Sequence, residues 1–156
     1  MGIEIERKFL VDFVSIPKML NVSEVIKIRQ GYILNSPKKV VRIRTSNEVA
    51  YITIKGENVG VTRPEYEYEI PIEDANVMLD TMCGDIIEKT RHIVKISNDV
   101  WEIDQFHGNN EGLTIAELEV PSEDYVIVKP FWVGDEIVDD PRYFNNNLAK
   151  VGYLQW

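Results

Sequence analysis

The sequence predicts an α+β fold, mainly antiparallel β, in which eight strands form a closed or nearly closed tunnel with a few covering helices. Three features predict it. Polar and apolar residues alternate with a period of two in eight separate runs. Several connections between the runs are so short that only antiparallel neighbours can be joined by them. Charged residues gather on one face of seven of the eight runs, and their signs are segregated strand by strand.

The runs fall at 2–11, 24–35, 38–46, 48–56, 62–71, 85–97, 99–107 and 112–121. Ser46-Asn47 and Asn98-Asp99 are short turn signals, so strands three and four, and six and seven, read as hairpins. The stretch from His107 to Gly112 is a longer turn leading to the eighth strand. A helix is expected at 73–83, where Glu73 and Asp74 suit the positive end of a helix dipole. Another is expected at 141–150, with Asp140 as cap and Pro141 at the first helical position. A short helical piece is expected at 15–21, and 122–139 reads as loop.

The 156 residues suit a single domain, 1–156, with no internal repeat or linker. Cys83 is the only cysteine, which excludes an internal disulfide and points to a reducing cytoplasm. Charge and apolar residues alternate from Met1 to Phe9, unlike a signal peptide, and no run resembles a membrane span. Against 26 Asp and Glu stand 17 Lys and Arg, a net charge of −9. That balance argues against a nucleic-acid or membrane surface as partner. It leaves room for a small anion inside a local cationic site.

Side chains two apart on a strand share a face. Glu4, Glu6 and Lys8 therefore align, opposite Ile3, Ile5 and Phe9. Arg42 aligns with Arg44, Lys89 with Arg91, Glu102 with Asp104, and Glu117 with Glu119. Lys55 stands opposite Ile52 and Ile54, and Arg63, Glu65, Glu67 and Glu69 form one further row. A solvated sheet face normally mixes signs, because unlike charges across strands stabilise and like charges do not. Segregation by strand instead suits one lumen with acidic and basic walls. Carboxylates bind hard divalent cations, and Mg²⁺ is commonly shared between carboxylates and substrate phosphates. Arg and Lys bind phosphate oxygens. The two walls together describe a site for a polyanion and a metal.

The ordered motifs resemble the CYTH, or triphosphate tunnel metalloenzyme, family. Glu4-Ile5-Glu6-Arg7-Lys8 matches its E-x-E-x-K signature. Gln30-Gly31-Tyr32, Arg42-Ile43-Arg44, Thr53-Ile54-Lys55-Gly56, the acidic stretch Arg63 to Pro71, Lys89-Thr90-Arg91, Trp101 to Phe106, and Glu117-Leu118-Glu119 follow in family order. The resemblance implies an eight-stranded antiparallel tunnel, dependence on Mg²⁺ or Mn²⁺ (one or two ions), and a small substrate bearing a triphosphate. Hydrolysis of inorganic tripolyphosphate to pyrophosphate and phosphate is the expected reaction. The alternatives are a class IV adenylate cyclase, which needs a nucleoside pocket that no aromatic cluster here supplies, Tyr32 aside, and a triphosphate or polyphosphate sensor without catalysis.

On that resemblance Lys8, Arg42, Arg44, Lys55, Lys89 and Arg91 are expected to cradle the phosphates. Glu4, Glu6, Asp104, Glu117 and Glu119 are expected to hold metal, and Lys8 and Glu67 to act in catalysis. His92, His107 and Cys83 read as packing or surface residues, and Asn145, Asn146 and Asn147 as helix surface. Charged faces turned inward leave apolar ones outside. The loop around Phe131 and Trp132, or a second subunit in a homodimer, is expected to cover what the helices do not.

Overall fold

The computed structural model describes residues 5–12, 20–57, 59 and 63–156. Glu4, and nearly all of the helical piece expected at 15–21, lie outside the described residues. All eight strands form: β1 (Ile5–Leu10), β2 (Val22–Asn35), β3 (Val40–Ser46), β4 (Val49–Lys55), β5 (Glu65–Ile70), β6 (Ile86–Ile96), β7 (Asp99–Phe106) and β8 (Thr114–Val120). They make one sheet in the order β1-β8-β7-β6-β2-β3-β4-β5, and every pairing is antiparallel. Helix α1 (Ile72–Thr81) follows β5, and α2 (Asn145–Lys150) lies near the C-terminus behind a 3-10 turn at Pro141–Tyr143. The Asp140 side chain caps that turn by accepting from the Arg142 backbone N–H at 3.1 Å. No helix among the described residues is long and apolar enough to cross a membrane.

Both expected hairpins are present. In the β3–β4 turn Asn47 takes the left-handed conformation, φ 55°, which asparagine tolerates better than most residues. Its Oδ1 accepts from the Lys27 backbone N–H at 2.9 Å, which ties the turn to β2. The β6–β7 turn places Ser97 at φ 53°.

The sheet is not closed by its own ends, because β1 and β5 do not pair among the described residues. The free edge of β1 is taken by the loop that follows β8. The Leu10 N–H donates to the Asp135 carbonyl, the Gly134 N–H to the Leu10 carbonyl and the Ile137 N–H to the Lys8 carbonyl, each at 2.8 Å. A Cβ at position 134 would come within 2.7 Å of the Leu10 carbonyl oxygen, so only glycine allows this approach.

Three apolar clusters pack on the sheet. The 122–139 loop lays Trp132 and Val133 over the outer faces of β1, β7 and β8, against Phe9, Trp101, Ile103 and Leu118. Trp101 is wholly buried and meets Trp132 edge-on at 5.5 Å between ring centroids. Truncating a side chain of this kind to alanine typically costs about 3–5 kcal/mol. Phe131 was expected to share the covering role, but it is 78% exposed; its neighbour Trp132 turns inward instead. Helix α1 seats Ala75 and Leu79 on Ile43 and Ala50, covering part of the outer face of β3 and β4. Helix α2 does something different. Its Leu148 packs on Ile87, Phe106 and Ile115, which share the inward faces of their strands with Lys89, Asp104 and Glu117. This helix therefore plugs one end of the curled sheet from within.

Candidate active site

The inward face encloses a cavity of about 460 Å³ to which every strand contributes at least one side chain. Acidic residues come from β1 (Glu6), β8 (Glu117), β7 (Glu102) and β5 (Glu65, Glu67), and basic ones from β3 (Arg42, Arg44), β4 (Lys55) and β6 (Arg91). The strand order thus separates an acidic arc, β7-β8-β1 with β5, from a basic arc, β6-β2-β3-β4. Lys8 and Arg63 also line the cavity, with Tyr32 of β2, and Phe144, Asn145 and Asn146 at the start of α2.

Register sets depth. Lys8 stands opposite Glu117, and Glu117 opposite Glu102, so these three form one row of the wall. The next row along the same faces is Leu10, Ile115 and Asp104. Asp104 is therefore level with the apolar plug rather than with the wall. Glu119 stands opposite Glu6 on the exposed side of Glu117.

Lys89 and Asp104 do not line the cavity. Lys89 Nζ donates to Asp104 Oδ2 at 2.8 Å and to Asn145 Oδ1 at 3.2 Å. Arg91 grips both oxygens of Asp104, through Nε at 2.7 Å and Nη2 at 2.9 Å, and its Nη1 pairs with Glu102. Burial disfavours the Asp104 carboxylate, but Lys89 and Arg91 outweigh it and hold the group well below the usual carboxylate range. Burial pushes the Lys89 ammonium down to about 8 in spite of Asp104. For Arg91 burial is again opposed and overcome, by Asp104 and then Glu102, which keep it above its ordinary value. With its oxygens engaged by two cations, Asp104 is suited to hold Arg91 and Lys89 in place rather than to present a free carboxylate to a metal. Lys89 in turn is buried behind the cavity lining, bonded to Asp104 and Asn145.

The basic arc is under-compensated. Burial, and then repulsion from Arg42 and Arg91, bring the Arg44 guanidinium down to about 10. Burial and Arg42 also lower Lys55. Arg44 Nε donates to Gln30 Oε1 at 2.7 Å, but the buried Arg42 Nε has no hydrogen-bond partner among the described residues. Buried donors without acceptors are costly, and a bound anion would remove that cost. Glu67 Oε2 accepts from Thr53 Oγ1 at 2.9 Å, and Thr53 Oγ1 accepts from Arg42 Nη2 at 3.2 Å. Glu67 thereby orients Arg42, through that hydroxyl and by a direct ion pair with Nη2 at 3.7 Å.

The acidic arc offers hard oxygen donors. Burial raises the Glu102 carboxyl, Arg91 opposes this, and Asp104 and Glu117 add to it. No three carboxylate, histidine or cysteine side chains among the described residues converge into a ready-made metal cage. The donors nevertheless fit an ion such as Mg²⁺, which takes one or two carboxylates and completes its shell with phosphate oxygens and water.

Of the residues expected from sequence, the cavity brings together Lys8, Arg42, Arg44, Lys55, Arg91, Glu6, Glu67 and Glu117. Glu102 and Glu65 belong to the acidic walls without having been singled out; their signal was the shared face, which does not report depth. Asn145 and Asn146, expected on a helix surface, face the cavity because α2 enters the sheet end.

A model of the CYTH domain matches residues 2–153. The chain belongs to the CYTH domain family. An inorganic triphosphatase of Acetivibrio thermocellus is 46% identical over 154 residues, 98% of this chain and 97% of the relative. An inorganic triphosphatase of Nitrosomonas europaea is 33% identical over 150 residues, 94% of this chain and 96% of the relative. The crystal structure of the inorganic triphosphatase NE1496 superposes with a TM-score of 0.71 at 32% identity, covering 94% of this chain and 97% of that one. The cavity of this CYTH protein is thus built on a fold shared with proteins of that name.

Proposed function

We propose that this CYTH protein hydrolyses inorganic tripolyphosphate with the help of Mg²⁺ or Mn²⁺. A water oxygen bonds to the terminal phosphorus and its proton passes to solvent, the adjacent anhydride P–O bond breaks, and orthophosphate and pyrophosphate leave. The observation that carries this reading is the basic arc, where Arg42, Arg44, Lys55 and Arg91 crowd one wall and the buried Arg42 Nε has no protein acceptor among the described residues. A chain of phosphates supplies several oxygens at once to such a wall; orthophosphate does not. The names of the relatives support the same substrate.

Arg42, Arg44, Lys55 and Arg91 bind the phosphates and offset charge developing in the transition state. Lys8 is a cation on the acidic arc, with Nζ 3.6 Å from Glu117 Oε1 and 5.6 Å from the centre of the Phe144 ring. It is the cation best placed to serve the attacked phosphate. Glu67 keeps Arg42 in position. Glu6, Glu117 and Glu119, with Glu102 and Glu4, are the residues that would hold the metal, which when bound neutralises phosphate charge and lowers the pKa of a bound water. Asp104 and Lys89 act behind the wall, on Arg91. The reading implies a cytoplasmic protein with a small-molecule substrate, and neither a nucleic acid nor a membrane as partner.

The test is to incubate the protein with tripolyphosphate, thiamine triphosphate, ATP and GTP, with Mg²⁺ or Mn²⁺, and to identify products. Pyrophosphate and phosphate from tripolyphosphate are expected. Cyclic AMP from ATP with tripolyphosphate left intact would overturn the reading.

A further inference from the structure

We propose that Asn145 is a substrate-binding residue whose side-chain amide donates a hydrogen bond to a phosphate oxygen in the lumen. The inference rests on the triphosphatase reading and adds to it a residue outside the charged strands.

Asn145 is the first residue of α2 and lines the cavity. Its Oδ1 lies 3.2 Å from Lys89 Nζ. An ammonium has three donors and no acceptor, so the atom facing Lys89 must be the amide oxygen. The NH₂ group therefore turns the other way, and it meets no acceptor among the described residues.

That orientation is rigid because both sides of it are anchored. Lys89 is fixed by Asp104 at 2.8 Å and lies 5.4 Å from the centre of the Phe106 ring. Helix α2 is fixed by the buried Leu148 and by Asn146, whose Nδ2 donates to Asn35 Oδ1 at 3.3 Å. The Asn35 amide returns a bond to the Asn146 carbonyl at 3.4 Å. A pre-set neutral donor suits this place. It adds a hydrogen bond to the phosphates without adding a further charge to a crowded cationic wall.

Asn145→Asp and Asn145→Ala separate this role from a structural one. Aspartate keeps an oxygen for Lys89 but loses the donor; alanine loses both. With tripolyphosphate as substrate, KM should rise at least about tenfold in each variant, the scale of one lost hydrogen bond to a charged acceptor. kcat should change much less, since the bond is made to substrate and transition state alike, and Asn145→Asp should melt close to wild type. An unchanged KM in Asn145→Asp would overturn the proposal, even if Asn145→Ala were impaired, because Asn145 would then act only through Lys89. If Asn145→Asp does not fold, an unchanged KM in Asn145→Ala overturns it as well. Failure of the wild-type protein to bind or hydrolyse tripolyphosphate would remove the triphosphatase reading itself, and is recognised separately.

Discussion

Lys89 and Asp104 form an ion pair 2.8 Å apart with side-chain exposures of 0% and 1%, directly behind a wall of solvated charges. Removing one member of such a pair leaves the other charged and buried, which typically costs about 3–5 kcal/mol. Asp104→Asn should lower stability by that order in urea titration at pH 7, because the buried Lys89 loses its paired carboxylate and Arg91 loses one of its two. A loss below about 1 kcal/mol would mean that Asp104 does not hold these cations.

The same carboxylate sets an acid limit. Its pKa in the fold lies below the ordinary 3.8, so the unfolded chain binds more protons as the pH falls through that value. Its contribution is complete above about pH 5 and is lost progressively below the ordinary value. Stability followed by urea titration between pH 5 and pH 2.5 should fall in wild type, and less steeply in Asp104→Asn. Parallel curves would refute this assignment.

Glu117→Gln should behave in the opposite way. Glu117 is in the wall opposite Glu102, and two carboxylates facing each other destabilise the sheet when no cation lies between them. Folding should survive or improve. Turnover at limiting Mg²⁺ should fall by roughly 10²–10³, the scale of losing one electrostatic element of the transition state, and should recover in part as Mg²⁺ is raised. Near-normal turnover at limiting Mg²⁺ would exclude Glu117 from the metal-binding set.

Arg42→Ala should raise KM for tripolyphosphate by roughly tenfold to a hundredfold, the range for lost charged hydrogen bonds. The order of preference between Mg²⁺ and Mn²⁺ should stay the same, since Arg42 belongs to the basic arc. Orthophosphate and pyrophosphate should inhibit weakly. Equal affinity for phosphate and tripolyphosphate, measured by competition, would contradict an extended cradle.

Assembly has its own structural motive. Leu34 stands opposite Val41, Val41 opposite Ile54 and Ile54 opposite Tyr66, a continuous apolar row on the outer face. Leu34 is 43%, Ile54 40% and Tyr66 57% exposed. We propose that a second copy covers this row in a homodimer. Light scattering should give about twice the 18.0 kDa chain mass, and Tyr66→Lys should shift the protein to monomer. A monomer mass for the wild type at low micromolar concentration would rule the dimer out.

The sequence by itself determined the eight strands, both hairpins, α1 and the division of charge by strand. Each of these rests on local chemistry: a period of two along a strand, a turn signal between two strands, acidic residues in the first turn of a helix. Such patterns also established which residues share a face, so Arg42 with Arg44 and Glu6 with Lys8 were legible. Tertiary structure alone decided how deep each of them sits. Glu102 and Asp104 are equivalent in the pattern, but the β7–β8 register puts Glu102 level with Glu117 and Asp104 level with Ile115, so one is wall and the other is a buried brace. Asn145 carries no periodic signal, and only the packing of Leu148 against Ile87 and Ile115 turns it inward. The curl of the sheet was likewise decided at a distance. The edge of β1 is occupied by backbone from Gly134 to Ile137, well over a hundred residues away in the chain, and no local pattern records that partner.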